Sequence, residues 1–316
     1  MAVTNFLVSS LPDYVQNNRD LIIKSFALAS TGTRARIGLQ TGIKKAADLN
    51  YLDLVPSIQD GSGCGFDPLD SITLTHKTIE VATVKVDGQI CPETLLGKYG
   101  EWLVRVNATE NELPFERYIL DALVAQINKQ IESIIWLGDT GNSDPIDGFL
   151  TQFAADGSVL TESIASGTSA YEGILQVYMA MPEEAVERGG VIFVAPEIFR
   201  AFVAGLVANN YYHYAGPDAA APEEFYFPGT DVRVVKAAGL ASTLNVVATF
   251  ADNLVYGTDG ENDNEAVDLW WSQDDRVFKY QVKWNMGVAY HFPDQIVVGT
   301  FAATPTISCH LCGAGE

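Results

Sequence analysis

PFERYILDALVAQINKQIESIIWLGDTGNSDPIDGFL, residues 114–150, decides how this chain is organised. Phe115, Ile119, Leu120, Leu123, Ile127, Ile131, Ile134 and Ile135 recur at helical spacing and form one apolar stripe. Pro114 suits the first helical position, Glu116 favours the first turn, and Gly138 suits the stop. Some 23 residues give a rod about 35 Å long. It runs into Leu137-Gly138-Asp139-Thr140-Gly141, a loop that ends at Asp147-Gly148-Phe149-Leu150.

Upstream lies a stretch of the opposite character. Residues 71–86 (SITLTHKTIEVATVKV) are dense in Thr, Val and Ile and strongly β-prone. Ile72 and Leu74 share one parity, Ile79 and Val81 the other, and Val84 and Val86 return to the first. One continuous strand here would span about 50 Å. The parity switches imply a twist, a bulge or a change of buried face. Asp87-Gly88 then reads as a tight turn, and Glu101–Val106 as the returning strand. A two-stranded arm with so few core-type residues is not stable alone, so it is expected to lie on a neighbour.

Closer to the start, residues 13–29 read as a short amphipathic helix with Val15, Leu21, Ile22, Phe26 and Ala29 on one side. It is too small for a core of its own. Residues 38–70 are rich in Gly, Asp and Ser and read as a mobile loop, with no strand-then-helix context for a phosphate cradle. Downstream, helices are expected over 170–181 and 196–207. Strands are expected over 191–195, 232–235, 244–249, 253–257 and 277–288, with 289–301 closing the fold. No repeat and no Pro- or Ser-rich linker divides the chain. The fold class is α+β.

The formal charge is −21, from 40 acidic and 19 basic side chains, which disfavours tight duplex binding. It is polarised: residues 1–58 hold six basic and four acidic groups, whereas 137–316 hold seven and 24. A near-neutral arm on an acidic body matters where many copies face one way; plain solubility is the other reading. The first fifteen residues do not read as a signal peptide, and no run of 18 apolar residues exists to span a membrane. Four cysteines without an export signal are expected to be reduced thiols.

Three stretches carry a resemblance to a known family. Ile131–Leu150 is similar to the end of a spine helix and the loop after it. Leu244–Asp259 (LNVVATFADNLVYGTD) is similar to a strand pair that closes a domain around a capsomer centre. Gly287–Phe301 (GVAYHFPDQIVVGTF) is similar to a terminal strand pair with aromatic, Pro and Gly-Thr-Phe landmarks. Together, in order and over nearly the whole chain, they resemble the major capsid proteins of tailed bacteriophages, of the Hong Kong 97-type fold. Phe292 stands where many relatives carry Arg.

The resemblance implies an N-terminal arm over 1–36 and an extended loop, a β-hairpin arm, over 37–106. It implies a peripheral domain with the spine helix over 107–150 and 260–306, an axial domain over 151–259 and a C-terminal tail over 307–316. It implies self-assembly into the hexamers and pentamers of an icosahedral shell, located in the virion, that encloses double-stranded DNA without sequence specificity. Portal, scaffolding and head-decoration proteins are the further partners it implies, and no membrane. An encapsulin-like shell around a protein cargo is the nearest alternative, and a soluble α+β enzyme the alternative of another class.

Sharper chemistry finds little support. Cys309-His310-Leu311-Cys312 is the most metal-like feature, but zinc takes four ligands, and Cys64 or Cys91 complete a site only if the fold or a neighbour brings them close. Structural zinc, an inter-subunit disulfide and ordinary thiols all remain open there. Residues 259–265 are acidic without the spacing of an EF-hand loop, so a solvated turn is expected rather than Ca²⁺. Residues 209–214 (NNYYHY) and Trp270-Trp271 read equally as interface anchors or core. The patterns GxSxG and HExxH are absent, and His76, His213, His291 and His310 are scattered without a partner in sequence. Lys77, Lys85 and Lys98 lie where some capsids of this family crosslink, with no context that marks an activated amine. No catalytic, cofactor-binding or metal-ligating residue is named, and no cofactor is expected.

Overall fold

The computed structural model describes residues 15, 25, 32–55, 58, 71–91, 115–208, 224–227, 229–259 and 266–305. The stripe of the opening stretch becomes helix α1 (Phe115–Leu137), with Ile127, Ile131 and Ile135 buried along one side. The helix stops at Gly138, whose N–H donates to the Ile134 carbonyl. Gly138 and Gly148 close on one another: Gly148 N–H donates to the Gly138 carbonyl at 2.9 Å, and a Cβ on either would press on backbone. Between them the acidic side chains serve the loop itself. Asp139 accepts from Gly141 N–H and the Asn142 amide, Asp144 from Asp139 N–H, and Asp147 from Thr140 N–H. Helix α2 (Phe149–Ala155) follows.

One side of α1 lies on a five-stranded sheet. Its centre is the long strand β12 (Val277–Tyr290), flanked by β10 (Leu254–Thr258) and β11 (Ala266–Ser272) and paired also with β4 (Ala82–Ile90). Strand β1 (Gly38–Gln40) adds parallel to β10. The second sheet has six strands in the order β5 (Leu160–Ile164), β13 (Val297–Phe301), β9 (Asn245–Phe250), β6 (Gly190–Val194), β8 (Arg233–Lys236) and β7 (Glu224–Tyr226). Every residue of β6 is buried, as its unbroken apolar run requires. Helices α3 (Ala170–Ala180) and α5 (Pro196–Ala208), with the short α4 (Glu183–Glu187), accompany this sheet. Ser169 and Glu172 cap α3 reciprocally. The Gly-Thr-Phe landmark now has a cause: a Cβ on Gly299 would overlap Val177 of α3, and one on Gly173 would overlap the Phe301 ring. Both glycines are there to let helix and strand meet.

Trp136 joins the two halves. Its ring is buried 5.4 Å from Phe149 and 5.3 Å from Phe193, and its indole N–H donates to Thr33 Oγ1 at 2.8 Å. Beside it Arg34 and Glu132 form a buried ion pair, 3.6 Å apart, with side chains only 3% and 7% exposed. Glu132 also accepts from Thr33 N–H at 3.2 Å, and Arg34 donates to Asn128 at 2.7 Å. Removing one partner strands the other charge in the core. Glu132→Ala is therefore expected to cost about 3 kcal/mol in equilibrium urea unfolding, and the joint replacement of Arg34 and Glu132 by Met clearly less.

The α+β class and most of the expected helices and strands stand, and two expectations are corrected. Asp87-Gly88 is not a turn: both residues lie inside β4, paired to Gln281 and Tyr280. The glycine is required because the Tyr280 ring lies across it, leaving no room for a Cβ. Nor is 38–70 all loop, since Ala46–Val55 forms strand β2 and pairs over ten positions with β3 (Ser71–Glu80). Strand β3 thus pairs with β2, and β4, which continues it, pairs with β12 of its own chain's body. The parity switch marks this crossing. Ile79 packs with Ile43, Leu49, Val255 and Ala289, whereas Val84, beyond the single linking residue Val81, joins the main core. The expected strand at 101–106, and the 13–29 helix apart from Val15 and Ser25, lie outside the described residues.

Candidate assembly interface

Strands β2 and β3 form a sheet of two, with no third strand among the described residues. The register sets Leu52 opposite Leu74 and Leu54 opposite Ile72. Residues two apart in a strand share a face, so these four apolar positions fall on one face of the hairpin.

The hairpin's root has a specific seat. Gly257 and Gly287 stand opposite each other in the β10–β12 register, leaving a bare patch on the sheet. Ile79 and Ile43 reach over Gly257, and the Glu80 carbonyl lies against Gly287. Two residues further out, Lys77 points to the same side. Its ammonium lies 3.0 Å from Asp156 Oδ2, just past α2, and 3.4 Å from the centre of the Tyr290 ring. The Tyr290 hydroxyl donates to the same carboxylate oxygen at 2.7 Å, and Ser158 N–H donates to the other at 3.1 Å.

This donor set, led by Tyr290, holds the Asp156 carboxyl down to about 2. Burial lowers Lys77, against the opposing pull of Asp156, and burial with the Asp156 bond raises Tyr290. A carboxyl depressed on folding contributes stability that is complete above its unfolded value, about 3.9. The contribution fades as pH falls through the folded value. The urea midpoint of the wild type is expected to drop more steeply between pH 4 and 2 than that of Asp156→Asn, measured side by side.

The other residues singled out in the sequence are dispersed. Cys91 is exposed at the end of β4, while Cys64, Cys309, His310 and Cys312 lie outside the described residues, so the zinc and disulfide readings find no geometry. Among the described residues no His, Cys, Asp and Glu side chains cluster as metal ligands. Asp259 is buried with its oxygen 3.4 Å from the Asn285 amide, and 260–265 are not described. His76 is exposed and His291 half-buried, which lowers its pKa; His213 and the 209–214 run are not described. Trp271 packs edge-on against buried Phe278 but is itself 37% exposed, and Trp270 is 44% exposed. Neither ring is a core residue of the single chain. Of the lysines, Lys77 is engaged as above, Lys85 pairs with Asp87 at 2.9 Å, and Lys98 is not described.

Sequence reasoning missed Gly257, Gly287, Asp156 and Tyr290. An isolated glycine inside a β-prone run signals close backbone approach, and that signal was present at both glycines. Nothing local marks Asp156 or Tyr290, which meet Lys77 only through the fold.

A long helix across a sheet, an edge strand continuing into a projecting hairpin, and a second mixed sheet flanked by helices define a class of protein fold. It is the Hong Kong 97-type fold of phage capsid proteins. A chain of the satellite phage P4 procapsid, in a structure that includes the size-determination protein, superposes with a TM-score of 0.58 at 11% identity, covering 92% of this chain and all of that one. The capsid of an empty GTA particle gives 0.56 at 11% identity over 87% and 91% of the two chains. A chain of Gordonia phage Cozz gives 0.54 at 12% identity over 86% of each. No family model matches the sequence, and no curated protein does. At such identities the likeness is one of backbone path.

Proposed function

We propose that this chain is the major capsid protein of a tailed phage, a non-enzymatic subunit that assembles into the hexamers and pentamers of an icosahedral head around double-stranded DNA. The observation that carries the reading is the β2–β3 hairpin: two strands, joined by no third strand among the described residues, with four apolar positions on one face. A two-stranded ribbon of this kind gains stability by lying on a partner, and identical copies in head-to-tail contact close into rings.

On this reading residues 1–36 are the N-terminal arm, 37–106 the extended loop, 107–150 with 260–306 the peripheral domain, 151–259 the axial domain, and 307–316 the tail. The axial domain meets its copies around the five- and six-fold axes. Portal, scaffolding and decoration proteins are its further partners, and the packaged DNA is met without sequence readout. The low number of basic groups suits a wall that tolerates DNA without gripping it.

Light scattering behind a sizing column, with negative-stain microscopy of each peak, tests the proposal. Rings of five or six, or closed shells, are expected. A stable monomer at 34.2 kDa under all conditions would overturn it.

A further inference from the structure

We infer that Lys77, Asp156 and Tyr290 form a latch that fixes the direction in which the β2–β3 hairpin leaves the body. A strand held at one point pivots about it; held at two points along its length, its direction is set. The first point is Ile79, fully buried over the glycine patch. The second is Lys77, one pleat further out and about 7 Å along the strand. Its ammonium is gripped by the Asp156 carboxylate at 3.0 Å and capped by the face of Tyr290 at 3.4 Å. The body side of the latch is itself rigid. Asp156 is tied to the end of α2 by its own N–H, which donates to the Gln152 and Phe153 carbonyls, and Tyr290 stands in β12 with its ring 5.2 Å from Phe153.

The contact differs in kind from the other ion pair of this strand run. Lys85 and Asp87 sit two residues apart in β4, with side chains 64% and 48% exposed, and Asp87 accepts besides from the Gln281 amide of the paired strand at 2.7 Å, so this pair stays within one sheet. Lys77 joins residues 79 positions apart and crosses from arm to body. A shielded ion pair backed by a cation–π contact and a charge-assisted hydrogen bond holds more firmly than an exposed one. In a shell, which rests on the function proposed above, hairpin direction sets where one copy meets the next. The latch then contributes to the curvature of the wall.

Hydrogen exchange on the unassembled chain tests the latch apart from any shell. Lys77→Met keeps the apolar stem and removes the cation, Asp156→Asn keeps an acceptor for Tyr290, and Lys85→Met serves as the control. Amides of residues 76–80 are expected to exchange about tenfold faster in Lys77→Met, and faster also in Asp156→Asn. Lys85→Met is expected to match the wild type. Unchanged exchange at 76–80 in both latch variants overturns the inference, as does an equal rise in the control. Where the wild type forms particles, the latch variants are expected to give a broader diameter distribution under the same conditions, and an unchanged distribution would remove the link to curvature. A wild type that forms no particles tells against the capsid reading alone, because the exchange result stands without it.

Discussion

Replacing Leu52 and Leu74 together by Asp is expected to abolish self-assembly while leaving the body folded. The two residues are register partners, and by register they share a face with the Leu54–Ile72 pair. Covering an apolar side chain of this size contributes about 1.5–3 kcal/mol. Two carboxylates set opposite one another repel as well as losing that term. On the assembly proposed above, each copy would make this contact once and receive it once, so the loss would be repeated around every ring. Shell yield by sedimentation is expected to fall at least about a hundredfold, since 2.7 kcal/mol already corresponds to that factor. Among the described side chains of the hairpin, Leu49 and Ile79 at the root are buried and pack with Ile43, Val255 and Ala289. The double variant spares them, so its melting temperature as a monomer is expected to stay close to that of the wild type. Closed shells from the double variant would show that the hairpin face is not a contact between copies.

The legible parts of this fold are those in which a local pattern and a tertiary need coincide. The stripe on α1 and the unbroken apolar run of β6 are local statements of burial, and both elements form where the pattern puts them. Asp87-Gly88 misled because a turn signal and a close-approach signal use the same residue. Gly88 answers to the Tyr280 ring, which lies 192 positions away in sequence, and no window around residue 88 contains it. The parity switch at 79–84 was visible, and its reading as a change of buried face was among those the pattern allowed. Its cause was not visible, because strand β2, which takes up β3, begins in a segment that reads as Gly-rich loop. The hairpin seat failed to show for the same reason. Gly257 and Gly287 each signal a close approach without saying to what, and become a patch only when β10 and β12 pair.

That patch carries the other large expected effect. Gly287→Val is expected to unseat the hairpin and destabilise the chain by about 3 kcal/mol, at the upper end for overpacking. The reason is what a side chain there would strike. A Cβ on Gly287 overlaps the carbonyl group of Glu80 and crowds Cα of Val81, all of it backbone. That backbone has little freedom to retreat, since Val81 N–H donates to the Lys45 carbonyl at 2.9 Å and the chain enters β4 at the next residue. Gly257, directly opposite, makes a sharp comparison. A Cβ there meets Ile79 Cδ1 at 2.7 Å and Ile43 Cδ1 at 2.9 Å, the movable ends of flexible side chains. Gly257→Ala is therefore expected to be the milder change, relieved by new rotamers, and Gly287→Ala the harsher one at equal added volume. Limited proteolysis of the 46–80 hairpin, beside thermal unfolding, reads both. Cleavage should be fastest in Gly287→Val, slower in Gly287→Ala and slowest in Gly257→Ala. A reversed order for the two alanine variants would mean that the hairpin rests on its isoleucines and not on the backbone contact at Glu80.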